Sequence, residues 1–401
     1  MICIRCLLWF SLPLLLATPD VNAQPRSFQE KAPLTAALKS AWAEASDNEE
    51  PRINMAGNKE SKTIAPSSAA SFPVTVQSPA EGKLSRWLEV KAASLSSCYV
   101  FDDDSNSGTT LASQNQFQAT FEGRFKFDAK SRYSLHVGVF TGNNFTNGWN
   151  DMGWGGGRGS SNLYLKRLYF VAQPMKGVEL QYGGLGLIGG VGTAITGFAD
   201  DGYIMGQRVS IERPNNFFFD QVAVTYGYLG DFDTPNINKR YNRLKQSNYH
   251  QFLVSKNIGQ WATVSAHYTF LNGVESLAEA VKINTKELRV IDAFRFENYQ
   301  RMDVNPDYGF AVQGEKTLFN RLILGGGFAA VDPNAGNLNS NDFFSGKRVF
   351  LSATYAISSE FSVSTLVNRA VANNFAVPKR MHFHLLLNYD LLRSLQRTPL
   401  F

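Results

Sequence analysis

From Met381 to Leu392 the chain alternates apolar and polar residues over twelve positions. One set is Met381, Phe383, Leu385, Leu387, Tyr389 and Leu391; the other is His382, His384, Leu386, Asn388, Asp390 and Leu392. Successive side chains of a strand point to opposite faces, so this is a strand with one apolar side and one largely polar side. Strands of soluble proteins mostly run about five or six residues. A tilted strand that crosses a bilayer needs roughly nine to eleven. In hydrocarbon every unpaired amide of an open sheet edge costs several kcal/mol, so such strands must close on themselves. The expectation is a closed transmembrane β-barrel, with this stretch as its closing strand.

The beginning of the chain agrees. Residues 1–23 carry Arg5, an apolar run from Leu7 to Ala17 and the small-residue ending Val21-Asn22-Ala23. That is the pattern of a secretory signal peptide, with cleavage expected before Gln24. The apolar run is too short to cross a membrane as a helix, and no later stretch has about eighteen consecutive apolar residues. Cys3 and Cys6 lie far from the cleavage point, so no lipid anchor is expected. Removal of the signal leaves Cys98 as the single cysteine, which excludes an intramolecular disulfide. Charged residues make up 18% and aromatics 13%, with 30 Phe, 15 Tyr and 33 Gly. The charged share is below the roughly quarter usual in soluble domains. Mean hydropathy is −0.20, as when apolar and polar faces alternate and cancel. A net charge of +5 over 401 residues is too weakly basic to argue for nucleic acid.

Residues 24–85 are rich in Ala, Ser, Pro, Glu and Lys and poor in aromatics. Leu34–Ala45 fits a short amphipathic helix, and the rest of the segment reads as a largely disordered periplasmic leader or linker. The barrel is expected over 86–401. Its strands begin at Arg86–Phe101, followed by a polar stretch from Asp102 to Gln114. From Gln116 the rhythm is strand, tight turn, strand, long loop. The tight turns are Asp128–Ser131, Pro174–Gly177, Arg213–Asn216, Asn257–Gln260, Leu318–Asn320 and Ser358–Glu360. The links between these pairs are longer, as in Thr141–Ser160. Tight turns at one end and long loops at the other is the sidedness of bacterial outer-membrane barrels. Parity requires an even number of crossings in Asn272–Pro306. Taken as a loop, with Glu275–Val281 helical, that segment gives 14 strands, the favoured count; a further hairpin around Leu288–Glu297 gives 16.

Aromatics such as Trp87, Tyr99, Trp149, Tyr203, Phe217, Trp261, Phe270 and Tyr389 fall near the strand ends, as in interfacial girdles. A soluble β-sandwich would also alternate, but its long loops occur at both ends.

On these features, with Phe401 as the final residue of the sequence, the stretch from Arg86 to Phe401 resembles the Gram-negative outer-membrane porin family. One departure is that Arg393, Arg397 and Pro399 occupy the register of the family's terminal strand, so the last strand is expected to end near Leu392. The resemblance implies a channel in the cell outer membrane, in contact with its lipid, passing small hydrophilic solutes by diffusion, commonly as a homotrimer.

If the apolar sets face lipid, the pore-lining residues are Glu122, Arg124, Lys126, Arg132, His136, Arg208, Glu212, Glu315, Arg321, Arg348, His382, His384 and Asp390, with Glu179. A charge on the lipid face would cost up to about 2–4 kcal/mol at the midplane, so these side chains belong inside. Each alone could be a satisfied member of an ion-pair network; the set argues for a wet channel in which basic residues slightly outnumber acidic ones. The adjacent Lys166 and Arg167 should face opposite ways, which leaves one of them against the pattern. The Gly-rich loop Ile188–Gly202, ending in Asp200 and Asp201, is the candidate constriction.

Enzyme signals are weak. Gly153–Gly159 lacks the Lys-Ser/Thr of a phosphate loop. Asp102, Asp104 and Asn106 start like a calcium loop, but the glycine is misplaced and the final Glu absent. His382 and His384 share a strand face without further metal-type ligands, and His250 and His267 have no nucleophile motif beside them. No enzyme, metal or cofactor is expected. A porin-like channel with weak anion preference is the reading. A non-conducting adhesin or structural barrel and a secreted soluble β protein are the alternatives.

Overall fold

The computed structural model describes residues 86–104, 108–143, 148–155, 159–193, 203–214, 218–285, 290–302, 308–332, 346–372 and 380–397. The segments 1–23 and 24–85 lie outside them. The described strands are β1 (Leu88–Asp104), β2 (Thr109–Lys126), β3 (Tyr133–Thr141), β4 (Asn150–Gly155), β5 (Leu163–Met175) and β6 (Val178–Gly186). They continue as β7 (Tyr203–Glu212), β8 (Gln221–Tyr228), β9 (Tyr249–Ile258), β10 (Ala262–Leu271), β11 (Val274–Asn284) and β12 (Ala293–Arg301). The last are β13 (Tyr308–Leu318), β14 (Leu322–Val331), β15 (Gly346–Ala356), β16 (Phe361–Ala372) and β17 (Arg380–Asp390).

All 17 belong to one sheet; leaving out β4, each pairs antiparallel with the next strand in the chain, β3 with β5. β17 then pairs with β1, from Ser94 opposite Asp390 to Asp104 opposite Arg380. That last pairing removes both edges, which is what an amide ladder in hydrocarbon requires. β4 is the exception to the winding. β3 pairs with β2 only over Thr120–Lys126, and β4 takes over beside Gln114–Phe117. The wall is therefore a closed barrel of 16 strands completed by one short patch. A packed pair of sheets, the soluble alternative, does not describe it.

Sixteen is the second of the two strand counts expected from the sequence, in place of the favoured fourteen. Asn272–Pro306 contains the hairpin β11–β12, and Glu275–Val281 is strand rather than helix. Asn272 and Gly273 both have positive φ (52° and 88°), the backbone of a two-residue hairpin turn. The polar stretch after Phe101 is also mostly strand, because β1 runs on to Asp104 and β2 starts at Thr109. The loop Thr141–Ser160 contains β4. β17 ends at Asp390, whose carboxylate accepts the Arg393 N–H (3.2 Å) and caps the short helix Leu391–Leu395.

The two faces differ as the alternation demands. Leu95, Tyr182, Phe252 and Leu351 on the convex face are 50%, 53%, 48% and 63% exposed. Arg348, Glu297 and Asn368 on the concave face are fully buried. This apolar-out, charged-in order inverts a soluble protein and defines a transmembrane barrel. Lys166 and Arg167 escape the conflict by a bulge. The register steps from Gly138–Arg167 to Val139–Leu165, so Lys166 is the extra residue and both side chains are buried.

Candidate functional site

The site is the concave face. On β2 and its neighbours, Glu122 Oε1 takes the Arg167 Nη1–H at 3.0 Å, and Arg167 also lies over the rings of Phe140 and Tyr203, at 5.1 and 4.8 Å. Arg124 donates to Ser134 Oγ (2.9 Å) and the Ser131 carbonyl (2.8 Å). Lys126 is 3.3 Å from Glu89, which Lys91 also pairs. His136 stacks on Tyr169, with ring centres 4.7 Å apart.

Further round the wall, Arg208 donates to Thr225 Oγ1 (2.9 Å), Gln181 Oε1 (3.0 Å) and the Gly186 carbonyl (2.5 Å). Glu179 is held by the amides of Gln173 and Gln181. Glu315 pairs with Arg295 at 3.1 Å. Arg348 reaches Asn368 Oδ1 (3.4 Å). Asp102 meets His382 Nδ1 at 2.6 Å, and the His384 ring is 6.0 Å from that of His382. The two imidazoles thus sit together, with the nearest carboxylate contributed by β1.

Four of the residues expected in the passage stand at its tight-turn end. Arg132 lies in the link between β2 and β3, where its carbonyl accepts the Gln173 N–H. Glu212 is exposed at the end of β7, and Arg321 is exposed in the β13–β14 turn. Asp390 caps the final helix and pairs Arg393 at 3.3 Å. Asp200 and Asp201 lie outside the described residues.

The first part of the candidate constriction loop is described, and it lies inside. Gln251 donates to the Ile188 carbonyl and Ser265 to the Val191 carbonyl, both at 2.7 Å. The Gly190 N–H points to His267 Nδ1 at 3.4 Å, and Thr193 Oγ1 folds back on the Gly190 carbonyl. Gln251, Ser265 and His267 are buried inward residues of β9 and β10. The approach needs glycine: a Cβ on Gly190 would stand 2.6 Å from Ser265 Oγ. Leu187 enters beside an apolar cluster of Tyr169, Val171, Leu185, Tyr249 and Leu271, so the inner face is not uniformly polar.

Sequence reasoning did not pick out Arg295, Glu297, Gln251, Ser265 or the inward role of Arg167. The first two follow from period two once β12 is recognised. The Asp102–His382 contact joins residues 280 apart and left no local signal.

A closed barrel of sixteen strands is the porin-type architecture, a strand number at which barrels can enclose an aqueous lumen; most tight turns lie at one end, and the two-residue turn Asn272-Gly273 lies at the other. No family model matches the chain, and no curated protein does. Among solved structures it is similar to OmpF of Salmonella typhi in complex with daunomycin, at 11% identity and TM-score 0.48, covering 75% of this chain and 97% of that one. Two mutants of the Rhodopseudomonas blastica porin are similar at 8% and 10% identity, with TM-scores of 0.49 and 0.47, each covering 76% of this chain and 99% of theirs.

Proposed function

We propose that residues 86–401 form a water-filled channel in the outer membrane, passing small hydrophilic solutes by diffusion with a weak preference for anions. Residues 1–23 direct export, 24–85 form a periplasmic leader, and the barrel works in lipid, as a homotrimer, without a cofactor. The observation that carries the reading is the charged concave face of a closed barrel of this strand number. A narrow low-dielectric passage concentrates ions opposite in sign to its lining.

The sign rests on how the charges are held. Glu122 offsets Arg167, Glu315 offsets Arg295, and Glu89 lies between Lys91 and Lys126. Arg208, which is buried, and Arg124 are oriented by hydroxyl, amide and carbonyl oxygens, so neither is neutralised by a directly bonded carboxylate. The loop segment 188–193 against β9 and β10 narrows the passage, and Asp200 and Asp201 would follow it. The same crowding supports the second reading, a non-conducting adhesin or structural barrel.

Conductance of the purified full chain in a planar bilayer decides between them. Discrete openings are expected, with a reversal potential of anion sign under a salt gradient. The preference should fade as salt rises, since charges are screened within about 10 Å at 0.1 M. Arg208→Gln should reduce it further without closing the pore. Absence of conductance would overturn the channel reading, and strong cation selectivity would overturn the anion assignment.

A further inference from the structure

The link from β8 to β9 does not stay above the barrel. Its 3-10 helix, Ile237–Lys245, is capped by Asn236 and lies on the convex face. Ile237, fully buried, sits against Gly184, where a Cβ would collide with it. The Tyr241 hydroxyl donates to the Leu168 carbonyl at 2.9 Å. Gly184 and Leu168 share the face of Tyr182 and Phe170, their exposed neighbours two residues along each strand. The helix is therefore clamped to the outer wall over β5–β7, near the end that carries the long links.

Its charge is one-sided. Residues 229–248 contain Lys239, Arg240, Arg243 and Lys245 against Asp231 and Asp233. Arg240 is buried and donates inward to the Gly230 carbonyl. Arg243 makes two bonds to Asp231, at 2.6 and 3.1 Å, and covers the Tyr228 ring. Those two arginines fasten the segment. Lys239 and Lys245 are exposed, with Asn242 between them. Just below the helix the exposed apolar belt begins at Phe170, Tyr182, Val209 and Tyr226. A basic helix held directly above an apolar belt lies at the height where lipid phosphates stand.

We propose that this helix is a docking site for the phosphate group of an anionic lipid in the leaflet at the long-link end, with Lys239 and Lys245 as its cationic contacts. The proposal rests on the membrane reading above, and the test separates the two. The full chain is reconstituted in phosphatidylcholine vesicles containing phosphatidic acid. Flotation with the vesicles, and a heat-dependent gel shift, report the membrane reading alone.

Native mass spectrometry of the released barrel then reports the lipid that stays bound. Wild type should retain phosphatidic acid in excess of its share of the vesicle. Lys239→Gln and Lys245→Gln should each lower that excess about fivefold. The double variant should approach the bulk ratio. A control pair at the opposite end, Lys130→Gln with Lys176→Gln, should leave the excess unchanged. Equal retention by wild type and the helix variants would overturn the proposal, as would loss of the lipid to excess inorganic phosphate, which would make the site one for a free anion.

Discussion

Asp220 and Asp292 perform the same task at two places. Each stands one residue ahead of a strand, β8 or β12, and reaches across to the start of the next tight turn. Asp220 Oδ2 accepts the Asn257 N–H at 2.6 Å, with Lys256 Nζ 3.4 Å from Oδ1. Asp292 Oδ2 accepts the Thr317 N–H at 2.8 Å, with Lys316 Nζ 2.9 Å from Oδ1. Burial alone would push the Asp292 carboxyl up, but the Lys316 ammonium and the Thr317 N–H together hold it below the ordinary aspartate range. A carboxyl whose folded value lies below its unfolded value contributes stability above the unfolded value and loses it as pH falls through the folded one. Asp292→Asn should therefore lower stability by about 1–2 kcal/mol at neutral pH. The deficit should shrink in acid. Urea unfolding of the detergent-solubilised barrel at both pH values checks this, and an equal deficit at both would rule out the charge as its source. The partners are 24 to 37 residues away, so nothing local in the sequence announces these caps.

At the scale of elements, the tight-turn hairpins were legible because each apolar row is unbroken and its turn short. β11 was not, although Asn272-Gly273 is a strong hairpin signal. Its outward row reads Glu275, Leu277, Glu279, Val281, with Glu279 bonded to Asn298 of β12 at 3.4 Å on the same face. Carboxylates where lipid-facing residues belong erased the period of two, and the spacing that remained looked helical. The 3-10 helix on the outer wall also gave no usable pattern, since its hold comes from the scattered Ile237, Tyr241, Arg240 and Arg243 rather than from an apolar stripe. The sidedness remains a firm expectation to test. In a Cys98→Ser background, Asp233→Cys at the long-link end should react with an impermeant maleimide on whole cells. Lys176→Cys at the tight-turn end should react only after lysis. The opposite pattern would mean that the barrel is inverted.

For the whole molecule, one pairing matters more than its length suggests. Without β17, both β1 and β16 become open edges, with ladders of unpaired amides in contact with lipid. A chain ending after β16 should leave no folded species on an unheated gel, while a deletion confined to 393–397 should fold, since only the short helix and its contacts are lost. A heat-modifiable band from the shorter chain would show that sixteen strands are not needed for closure.

That pairing also sets a clock. Ser96 and Asn388, hydrogen-bonded across the seam, are 292 residues apart, nearly the largest separation the barrel allows. Contacts of such long range are slow to form, because loop-closure entropy is lost before any ladder compensates it. β1 is synthesised first among the strands, and its second partner is the last to arrive. No intermediate made of completed hairpins can be edge-free, so every precursor carries an unsatisfied β1. The chain must be kept from pairing with other chains through that strand until β17 reaches it, which makes the time before closure the period of greatest aggregation risk.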